Sequence, residues 1–262
     1  MKLSDERVEL ARRHNKVVYK DGNRIVKSFV RTKPAVDVFR EALNLARIEQ
    51  AEGLNTPKIL EVSQVEDGSW ALAYEYFPGR TLHDLMKEAE GTPKFDELLQ
   101  TFVDLQVKVQ NTKAPAALTG QCDKIVRMIG RVKSLDPSAR YDLQMRADRL
   151  RNGRSICHGD FNPTNVVVGE DGSLFVCDWT HVTVGLPDAD AAMTYMLLTL
   201  EFPAAADKYL DLYSKAADIA KQKISYWLPV VAAAELSRGR KDNEEFLIRS
   251  AKKAQQSDYF QG

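Results

Sequence analysis

Hydrophobic and polar positions alternate in the first third of the chain, and this alternation predicts β-strands. Short β-branched runs lie on both sides of Asp21-Gly22-Asn23, which is a typical hairpin turn. After Pro34 the apolar spacing becomes helical, and Gly53 closes that run. The expected strands are Val8–Ala11, Lys16–Lys20, Arg24–Val30, Lys58–Gln64 and Ser69–Phe77, with a helix over residues 36–48 after the third.

Beyond Pro78-Gly79 the apolar spacing is mainly helical, and one short hairpin interrupts it. That hairpin is expected to pair Asn165–Val168 with Leu174–Cys177. We therefore predict an α+β fold with two lobes. The small lobe, residues 1–77, would hold a five-stranded antiparallel sheet and one helix, and residues 78–262 would form a larger, mainly helical lobe. The helices are expected over Leu82–Glu88, Phe95–Thr112, Thr119–Val132, Pro137–Arg151, Asp188–Thr199, Ala204–Ala220, Ile224–Ser237 and Glu244–Gln255.

The formal net charge is zero, with 37 Lys and Arg against 37 Asp and Glu in 262 residues. A chain without a basic excess is not typical of a nucleic-acid or anionic-membrane binder, so we expect neither partner. Residues 1–30 contain no apolar core of signal-peptide length, and charges interrupt the other apolar stretches. The three cysteines form no CxxC pair, which favours reduced thiols and a cytoplasmic location. The pattern does not indicate an oligomeric state.

Several common catalytic patterns are absent from the sequence. It contains neither G-x-x-x-x-G-K-[ST] nor G-x-G-x-x-G, which argues against Walker and Rossmann nucleotide sites. It also lacks G-x-S-x-G and H-E-x-x-H, so a hydrolase elbow and a zinc-protease helix are not expected.

The segment that carries chemistry runs from His158-Gly159-Asp160 to Asn165, and Asp178-Trp179 closes the following hairpin. The hairpin would bring Asn165 beside Asp178, so three oxygen-bearing side chains would converge at one end of a β-ribbon. Carboxylate and amide oxygens suit Mg²⁺, and Asp160 would remain to receive a hydroxyl proton. A D-x-x-x-x-N pattern alone is usually a capped loop. The residues around it here favour the functional interpretation.

The pattern H-G-D-x-x-x-x-N, followed by an apolar strand and D-W, resembles the catalytic loop and metal-binding aspartate of the aminoglycoside phosphotransferase/choline kinase family. The resemblance covers almost the whole chain and implies a protein-kinase-like fold. It implies that Asp160 is the catalytic base that orients the acceptor hydroxyl. It also implies that Asn165 and Asp178 bind Mg²⁺.

The same resemblance implies a nucleotide site in the N-terminal lobe. Lys27 resembles the strand lysine that holds the α- and β-phosphates, and Glu41 resembles its helix glutamate partner. Backbone groups of Glu75 and Phe77 would bind the base, and Tyr74 would lie at the rear of the pocket. ATP and GTP are both possible donors. Taken alone, Lys27 and Glu41 would be interpreted as a solvated strand lysine and a surface helix charge.

Two further residues resemble structural parts of the family's catalytic loop. Asp190 would be a buried aspartate that binds the loop backbone, and His158 would pack there and bind backbone groups. One departure is clear: Arg12-Arg13-His14-Asn15, between the first two strands, contains no glycine. Kinases use a glycine-rich loop at this position so that backbone N–H groups approach the phosphates.

The main hypothesis is therefore Mg²⁺-dependent transfer of a γ-phosphoryl group to a small-molecule hydroxyl. An aminoglycoside, a choline-like amino alcohol and a sugar all remain possible acceptors. From Leu186 onward acidic and basic residues are nearly balanced, so no pocket for a polycation is visible. The aromatic residues available to a choline-like acceptor are more often core at this spacing; they are Tyr195, Tyr213, Tyr226 and Trp227.

Two alternative functions, a protein or peptide kinase and a non-catalytic nucleotide-binding protein, would each leave a different mark on the sequence. A protein or peptide kinase would need an ordered activation segment, but the chain from Asp178 to Asp190 is short and has no evident phosphosite. A non-catalytic nucleotide-binding protein would lack catalytic or metal-binding residues, and this chain has Lys27, Asp160 and Asn165 as well as Asp178.

Overall fold

The computed structural model describes residues 1–239 and 241–257. The chain forms two compact units that are discontinuous in sequence. The first unit comprises Met1–Asp84, Pro115–Ala117 and Thr164–His181, and the rest of the described chain forms the second. The segment Thr164–His181 thus belongs to the unit that contains the N-terminal sheet. A division into functional lobes at residue 77 stays a prediction.

The first unit contains the predicted five-stranded sheet, which is antiparallel throughout. Its strand order is β1-β2-β3-β5-β4, and its helix α1 follows β3. A buried cluster of Phe29, Val38, Ala42 and Leu72 joins the sheet to α1, which explains the helical apolar spacing after Pro34. The bounds are β1 (Val8–Arg13), β2 (Lys16–Asp21), β3 (Arg24–Phe29), α1 (Ala35–Ile48), β4 (Ile59–Gln64) and β5 (Trp70–Glu75).

A second sheet in the first unit is built on the predicted hairpin. It consists of β6 (Gly79–Thr81), β8 (Val166–Gly169) and β9 (Leu174–Val176), in the order β6-β8-β9. A Cβ on Gly79 would lie 2.3 Å from the carbonyl oxygen of Val168, so only glycine fits this approach of two backbones. The sequence did not predict β6, because three residues are too few to show a period.

The second unit is mainly helical, and buried hydrogen bonds between side chains connect its helices. The hydroxyl groups of Tyr209 and Tyr213 donate to the side chains of Gln106 and Gln110 at 2.7 and 2.6 Å. The α-helices after α1 in the described chain are α2 (Leu82–Glu88), α3 (Pro93–Asn111), α4 (Gln121–Gly130), α5 (Pro137–Ala147), α6 (Pro187–Glu201), α7 (Pro203–Ala216), α8 (Lys221–Leu236) and α9 (Glu244–Ser257). Four of them, α3, α5, α6 and α7, begin with proline, whose missing N–H carries no penalty at that position.

A two-stranded ribbon in the second unit leads into the histidine-containing loop. It pairs β7 (Ser155–Cys157) with β10 (Thr183–Gly185) in antiparallel register. The backbone of Gly153 lies so close to that of Gly185 that an added Cβ would be 1.9 Å from the Gly185 carbonyl carbon. The loop that begins at His158 therefore follows a ribbon whose backbone is held in place by close packing.

Two further properties of the described residues concern the cysteines and the lengths of the helices. The three cysteines are free, with Cys122 and Cys157 buried and Cys177 partly buried. Among the helices of residues 1–239 and 241–257, none is both long enough and apolar enough to cross a membrane.

Candidate active site

In the first unit, a charged cluster forms between β3 and α1. Lys27 and Glu41 are 3% and 7% exposed, and their side chains form a buried ion pair. Burying a charge is costly unless it is paired, so the two residues depend on each other. Burial alone would lower the pKa of Lys27, but Asp178 and Glu41 outweigh it and raise that pKa well above its ordinary value. Lys27 is therefore a permanent cation.

Asp178 joins this cluster from the segment that follows β9. Lys27 Nζ lies 3.2 Å from Asp178 Oδ1, and Lys16 Nζ lies 3.2 Å from Oδ2. The hydroxyl of Thr180 donates to Oδ1 at 2.5 Å. Burial would raise the pKa of Asp178, but the two ammonium groups hold it well below its ordinary value. The carboxylate is therefore ionised.

The backbone around Asp178 is held in an uncommon conformation. Asp178 has a φ of 56°, in the left-handed region that residues other than glycine seldom adopt. The side-chain amide of Asn44 on α1 donates to the carbonyl of Thr180 at 3.1 Å, and the indole N–H of Trp179 donates to Val176 at 2.8 Å. Such conformations persist where surrounding contacts over-determine them, and they concentrate at functional sites.

Asn165 lies across the hairpin from the residues that precede Asp178. Its backbone carbonyl accepts a 2.8 Å hydrogen bond from the N–H of Cys177. Val166 pairs with Val176 on the adjacent strands. The hairpin thus places Asn165 and Asp178 at the same end of the ribbon, as the sequence predicts.

The donor set of this end of the ribbon fits a hard cation. Within the described ranges, His, Cys, Asp and Glu side chains do not gather in groups of three or more that would hold a metal ion. One ionised carboxylate with one amide oxygen is a sparse site of the type that Mg²⁺ occupies when phosphate oxygens complete its shell. Asp178 and Asn165 supply these two oxygen-bearing groups.

The residues expected to bind the base lie at the end of β5 and just beyond it. Glu75 ends the strand, and its N–H donates to the carbonyl of Lys58 at 3.0 Å. The ring of Phe77 stacks on Phe175 of β9 with centroids 3.8 Å apart. Tyr74, which packs against the core between the sheet and α1, has its pKa raised by burial.

In the second unit, Asp160 lies in a loop that follows β7 and is fixed by buried partners. His158 is fully buried, and its Nδ1 accepts a 3.3 Å hydrogen bond from the N–H of Asp160. Gly159 has a φ of 75° and donates its N–H to Asp190 Oδ1 at 2.8 Å. Asp190 is 2% exposed and also accepts from Gln110 at 3.1 Å. The loop backbone is thus anchored by His158 and Asp190.

Arg238, just beyond α8, contacts the same loop. Its Nη2 donates to the carbonyl of Gly159 at 2.9 Å, and its Nη1 lies 3.7 Å from Asp160 Oδ1. Glu235, which is buried, forms an ion pair with Arg238 at 3.0 Å. Burial and the charge of Arg238 lower the pKa of Lys124 well below its ordinary value, against the opposing charge of Asp160. The cation that lies next to Asp160 in this set is therefore Arg238.

The structure brings the predicted residues together in two sets. Lys27, Glu41 and Asp178 form one cluster, with Asn165 across the hairpin, and His158, Asp160 and Asp190 share one loop network. Sequence reasoning missed two contacts, those of Lys16 with Asp178 and of Arg238 with Asp160. The sequence could have indicated Lys16, because this lysine directly follows the glycine-free turn, where a kinase would contact the phosphates. Arg238 had no local signal.

Comparison with known families gives one match that spans most of the chain. The model of a family described as the phosphotransferase enzyme family matches residues 11–222. No curated protein sequence matches this chain.

Solved structures share the fold at low sequence identity. A thermostable mutant of aminoglycoside phosphotransferase APH(4)-Ia, in a ternary complex with AMP-PNP and hygromycin B, is 14% identical with a TM-score of 0.68, covering 97% of this chain and 94% of that one. The GDP complex of wild-type aminoglycoside 2'-phosphotransferase-IIIa is 16% identical with a TM-score of 0.60, covering 97% and 93%. Choline kinase LicA from Streptococcus pneumoniae is 16% identical with a TM-score of 0.62, covering 98% and 95%. These likenesses confirm the predicted α+β, protein-kinase-like fold.

Proposed function

We propose, from the premise that this chain belongs to the phosphotransferase enzyme family, that it transfers the γ-phosphoryl group of a nucleoside triphosphate to a hydroxyl group of a small molecule. The observation that carries the proposal is the cluster of Lys27, Glu41 and Asp178. Three charged groups that converge, two of them with strongly shifted pKa values, are typical of a functional site. A kinase needs such a set to hold the phosphates and their metal ion.

The first unit supplies the residues for the donor. Lys27 would bind the α- and β-phosphates, and Glu41 would hold the lysine in place. Asn165 and Asp178 would hold Mg²⁺, which when bound supplies positive charge against the phosphate oxygens. Backbone groups of Glu75 and Phe77 would bind the base.

Either adenine or guanine nucleotides would serve as donor in this proposal. One similar structure was determined with AMP-PNP and another with GDP. Because the N–H of Glu75 is hydrogen-bonded to Lys58, the Glu75 carbonyl and the backbone groups of Phe77 would supply hydrogen bonds to either purine. ATP and GTP are therefore both to be tested.

The second unit supplies the catalytic base. Asp160 would accept the proton of the acceptor hydroxyl while the acceptor oxygen forms a bond to the γ-phosphorus. The bond between the γ-phosphorus and the oxygen that bridges the β- and γ-phosphates breaks. The nucleoside diphosphate leaves with the electron pair of that bond. His158 and Asp190 fix the loop without contacting substrate. Most of the rate enhancement in this reaction class comes from positioning and from electrostatic stabilisation.

The acceptor is a small molecule in this proposal, and its class is narrowed by the aromatic residues. Tyr213 and Trp227 are 0% and 4% exposed and belong to the core. The guanidinium of Arg146 lies over the ring of Tyr226, with its central carbon 4.7 Å from the ring centroid. A cage for a quaternary ammonium needs open aromatic faces, so these three residues do not favour a choline-like acceptor. An aminoglycoside and a neutral sugar remain candidates.

Thermal denaturation tests the donor and the metal together. The melting temperature of the wild-type protein should rise with ATP or GTP plus Mg²⁺, because a ligand at 100 times its Kd stabilises the native state by about 2.7 kcal/mol. The rise should shrink without Mg²⁺ and in Asp178→Asn. It should persist in Asp104→Asn, which changes an exposed aspartate on α3. If neither nucleotide produces a rise in the wild-type protein, the proposal is wrong.

Asp160→Asn tests the catalytic step. Transfer should fall by about 10² to 10⁴, the usual contribution of a general base, while the nucleotide-dependent rise in melting temperature remains. Incubation of a cell extract with γ-labelled nucleotide then separates acceptor classes. Label in the small-molecule fraction supports the proposal, and a labelled protein band would favour a protein kinase. Binding without any transfer would indicate a non-catalytic nucleotide-binding protein.

A further inference from the structure

We infer that Lys16 binds the terminal phosphates of the donor nucleotide, in place of the backbone N–H groups that a glycine-rich turn would supply. The inference rests on the proposed function and adds a residue to its donor site. It is carried by three features of the first unit: the composition of the β1–β2 turn, the position of the Lys16 ammonium group, and the charge balance around Asp178.

The β1–β2 turn is tight and has side chains at every position. Arg13 pairs with Lys16 across the two strands, and only His14 and Asn15 lie between them. No glycine occurs from Met1 to Asp21. Glycine is the residue that lets a backbone approach a ligand closely. A turn built this way would contact phosphates through side chains or through fewer backbone groups, and the position of Lys16 favours the side-chain contact.

Lys16, the first residue of β2, directs its side chain to the metal-binding carboxylate. Its Nζ lies 3.2 Å from Asp178 Oδ2, while Lys27 Nζ lies 3.2 Å from Oδ1. The Lys16 side chain is 22% exposed, and that of Lys27 is 4% exposed. Of these two lysines, Lys16 is the one that an incoming anion can reach from solvent.

The charge balance of the cluster changes when a divalent cation binds. Lys16 and Lys27 together balance Glu41 and Asp178 in the structure. A cation held by the Asp178 oxygens would add two positive charges and repel both ammonium groups. Lys27 is retained by Glu41. Lys16 has a flexible four-carbon stem, so its ammonium group can turn from the carboxylate to a phosphate oxygen a few ångströms away.

A purely structural role for Lys16 predicts a different pattern of effects. If the lysine only holds Asp178, which is proposed to bind the metal, its loss would raise the Mg²⁺ concentration that nucleotide binding requires, and saturating Mg²⁺ would restore the affinity. If it binds the terminal phosphates, the loss must grow with the number of phosphates. The ratio of the dissociation constants of tri- and monophosphates therefore separates the two roles.

The experiment compares Lys16→Met and Lys16→Arg with Lys58→Met, which removes an exposed lysine of the same unit. Calorimetric titration at saturating Mg²⁺ measures Kd for the tri-, di- and monophosphate of the preferred nucleoside. Lys16→Met should weaken triphosphate binding by about tenfold or more, as expected for a lost charge-assisted contact, and monophosphate binding by less than about twofold. Lys16→Arg, which keeps the charge, should retain most of the triphosphate affinity, and Lys58→Met should match the wild type.

Two outcomes would overturn the inference. If Lys16→Met weakens the binding of the tri-, di- and monophosphate by the same factor, or weakens none of them, Lys16 does not bind the terminal phosphates. The proposed function would still hold in that case, provided that the wild type transfers phosphate. If the wild type binds no triphosphate, both the proposed function and this inference are wrong. Should Lys16→Met fail to fold, Lys16→Gln also removes the charge and gives the same comparison of tri-, di- and monophosphate binding.

Discussion

Arg238 Nη1 lies 3.7 Å from Asp160 Oδ1, and the same guanidinium donates a 2.9 Å hydrogen bond to the carbonyl of Gly159. One side chain thus contacts two consecutive residues of the loop that carries the proposed base. We predict that Arg238→Met lowers kcat by about 10- to 100-fold through misplacement of Asp160. Nucleotide affinity should stay within about twofold of the wild type, because Arg238 contacts Gly159, Asp160 and Glu235, which are not proposed to bind the nucleotide. Steady-state kinetics and nucleotide titration measure the two quantities.

A second variant separates positioning from stability. Glu235 is 1% exposed and pairs with Arg238, so removal of the arginine alone breaks a buried ion pair and should cost about 3–5 kcal/mol. Arg238→Met combined with Glu235→Gln should regain much of the stability but not the rate. If the rate returns together with the stability, Arg238 has only a structural role.

Lys27 and Glu41 should differ in their effects on transfer. Lys27→Met removes the cation that two carboxylates share, so we expect transfer to fall by about 100-fold or more and nucleotide binding to weaken. Glu41→Gln keeps an oxygen that can accept from Lys27, so a smaller loss, of about tenfold, is expected. Asp37→Asn is the matched control on α1, because the ion pairs of Asp37 with Lys33 and Arg40 are solvent-accessible. Equal activities of Glu41→Gln and Asp37→Asn would contradict the role of Glu41.

Features with a repeating local pattern could be predicted from the sequence. The β-branched runs in residues 8–30 and the turn at Gly22 predicted the first three strands, because β-branched residues favour strands and Asp-Gly favours a hairpin turn. The turn between Val168 and Leu174 gave the hairpin, and the hairpin register then placed Asn165 opposite Cys177, next to Asp178. Lys27 and Glu41 came from resemblance alone, because a charged residue on a strand or a helix is usually solvent-exposed.

Features that depend on tertiary contacts could not be predicted. The strands β6, β7 and β10 have three residues each and show no period. The helix predicted to end at Arg151 becomes a 3-10 helix from Asp148, since a helix end depends on local caps and packing. Arg238 lies far along the chain from Asp160, and only the packing of the second unit brings the two together.

Asp190 should make stability depend on pH. Burial raises the pKa of Asp190 above its ordinary value of 3.8, although Gly159 and Gln110 bind the carboxylate. The Asp190 carboxyl group then binds a proton more tightly in the folded state than in the unfolded state. The contribution of this group to stability is therefore fully present below the unfolded pKa and is lost as the pH rises through the folded pKa. We predict that the free energy of unfolding of the wild type falls between about pH 4 and the folded pKa. The fall should be about 1.4 kcal/mol for every tenfold difference in proton affinity between the folded and unfolded states.

Asp190→Asn is the control for this pH dependence, because asparagine does not titrate and retains an oxygen for the N–H of Gly159. Urea denaturation at a series of pH values gives the free energies. The free energy of unfolding of the wild type, minus that of the variant, should decrease as the pH rises through this window. A difference that grows with pH would mean that the pKa of Asp190 is lowered in the folded state.

Gly153→Ala tests the close backbone contact that supports the ribbon before the loop. The new Cβ would lie 1.9 Å from the carbonyl carbon of Gly185 and 2.3 Å from the backbone nitrogen of Leu186, and neither atom can move without shifting β10. We expect a loss of about 1–3 kcal/mol or more, as for other overpacked sites, and a drop in melting temperature of about 2–4 °C per kcal/mol. Gly120→Ala is the comparison, because its Cβ would meet its nearest atom, Asp123 Oδ2, at 3.4 Å, so only a smaller change is expected. Equal melting temperatures for the two variants would show that the β7–β10 ribbon tolerates displacement.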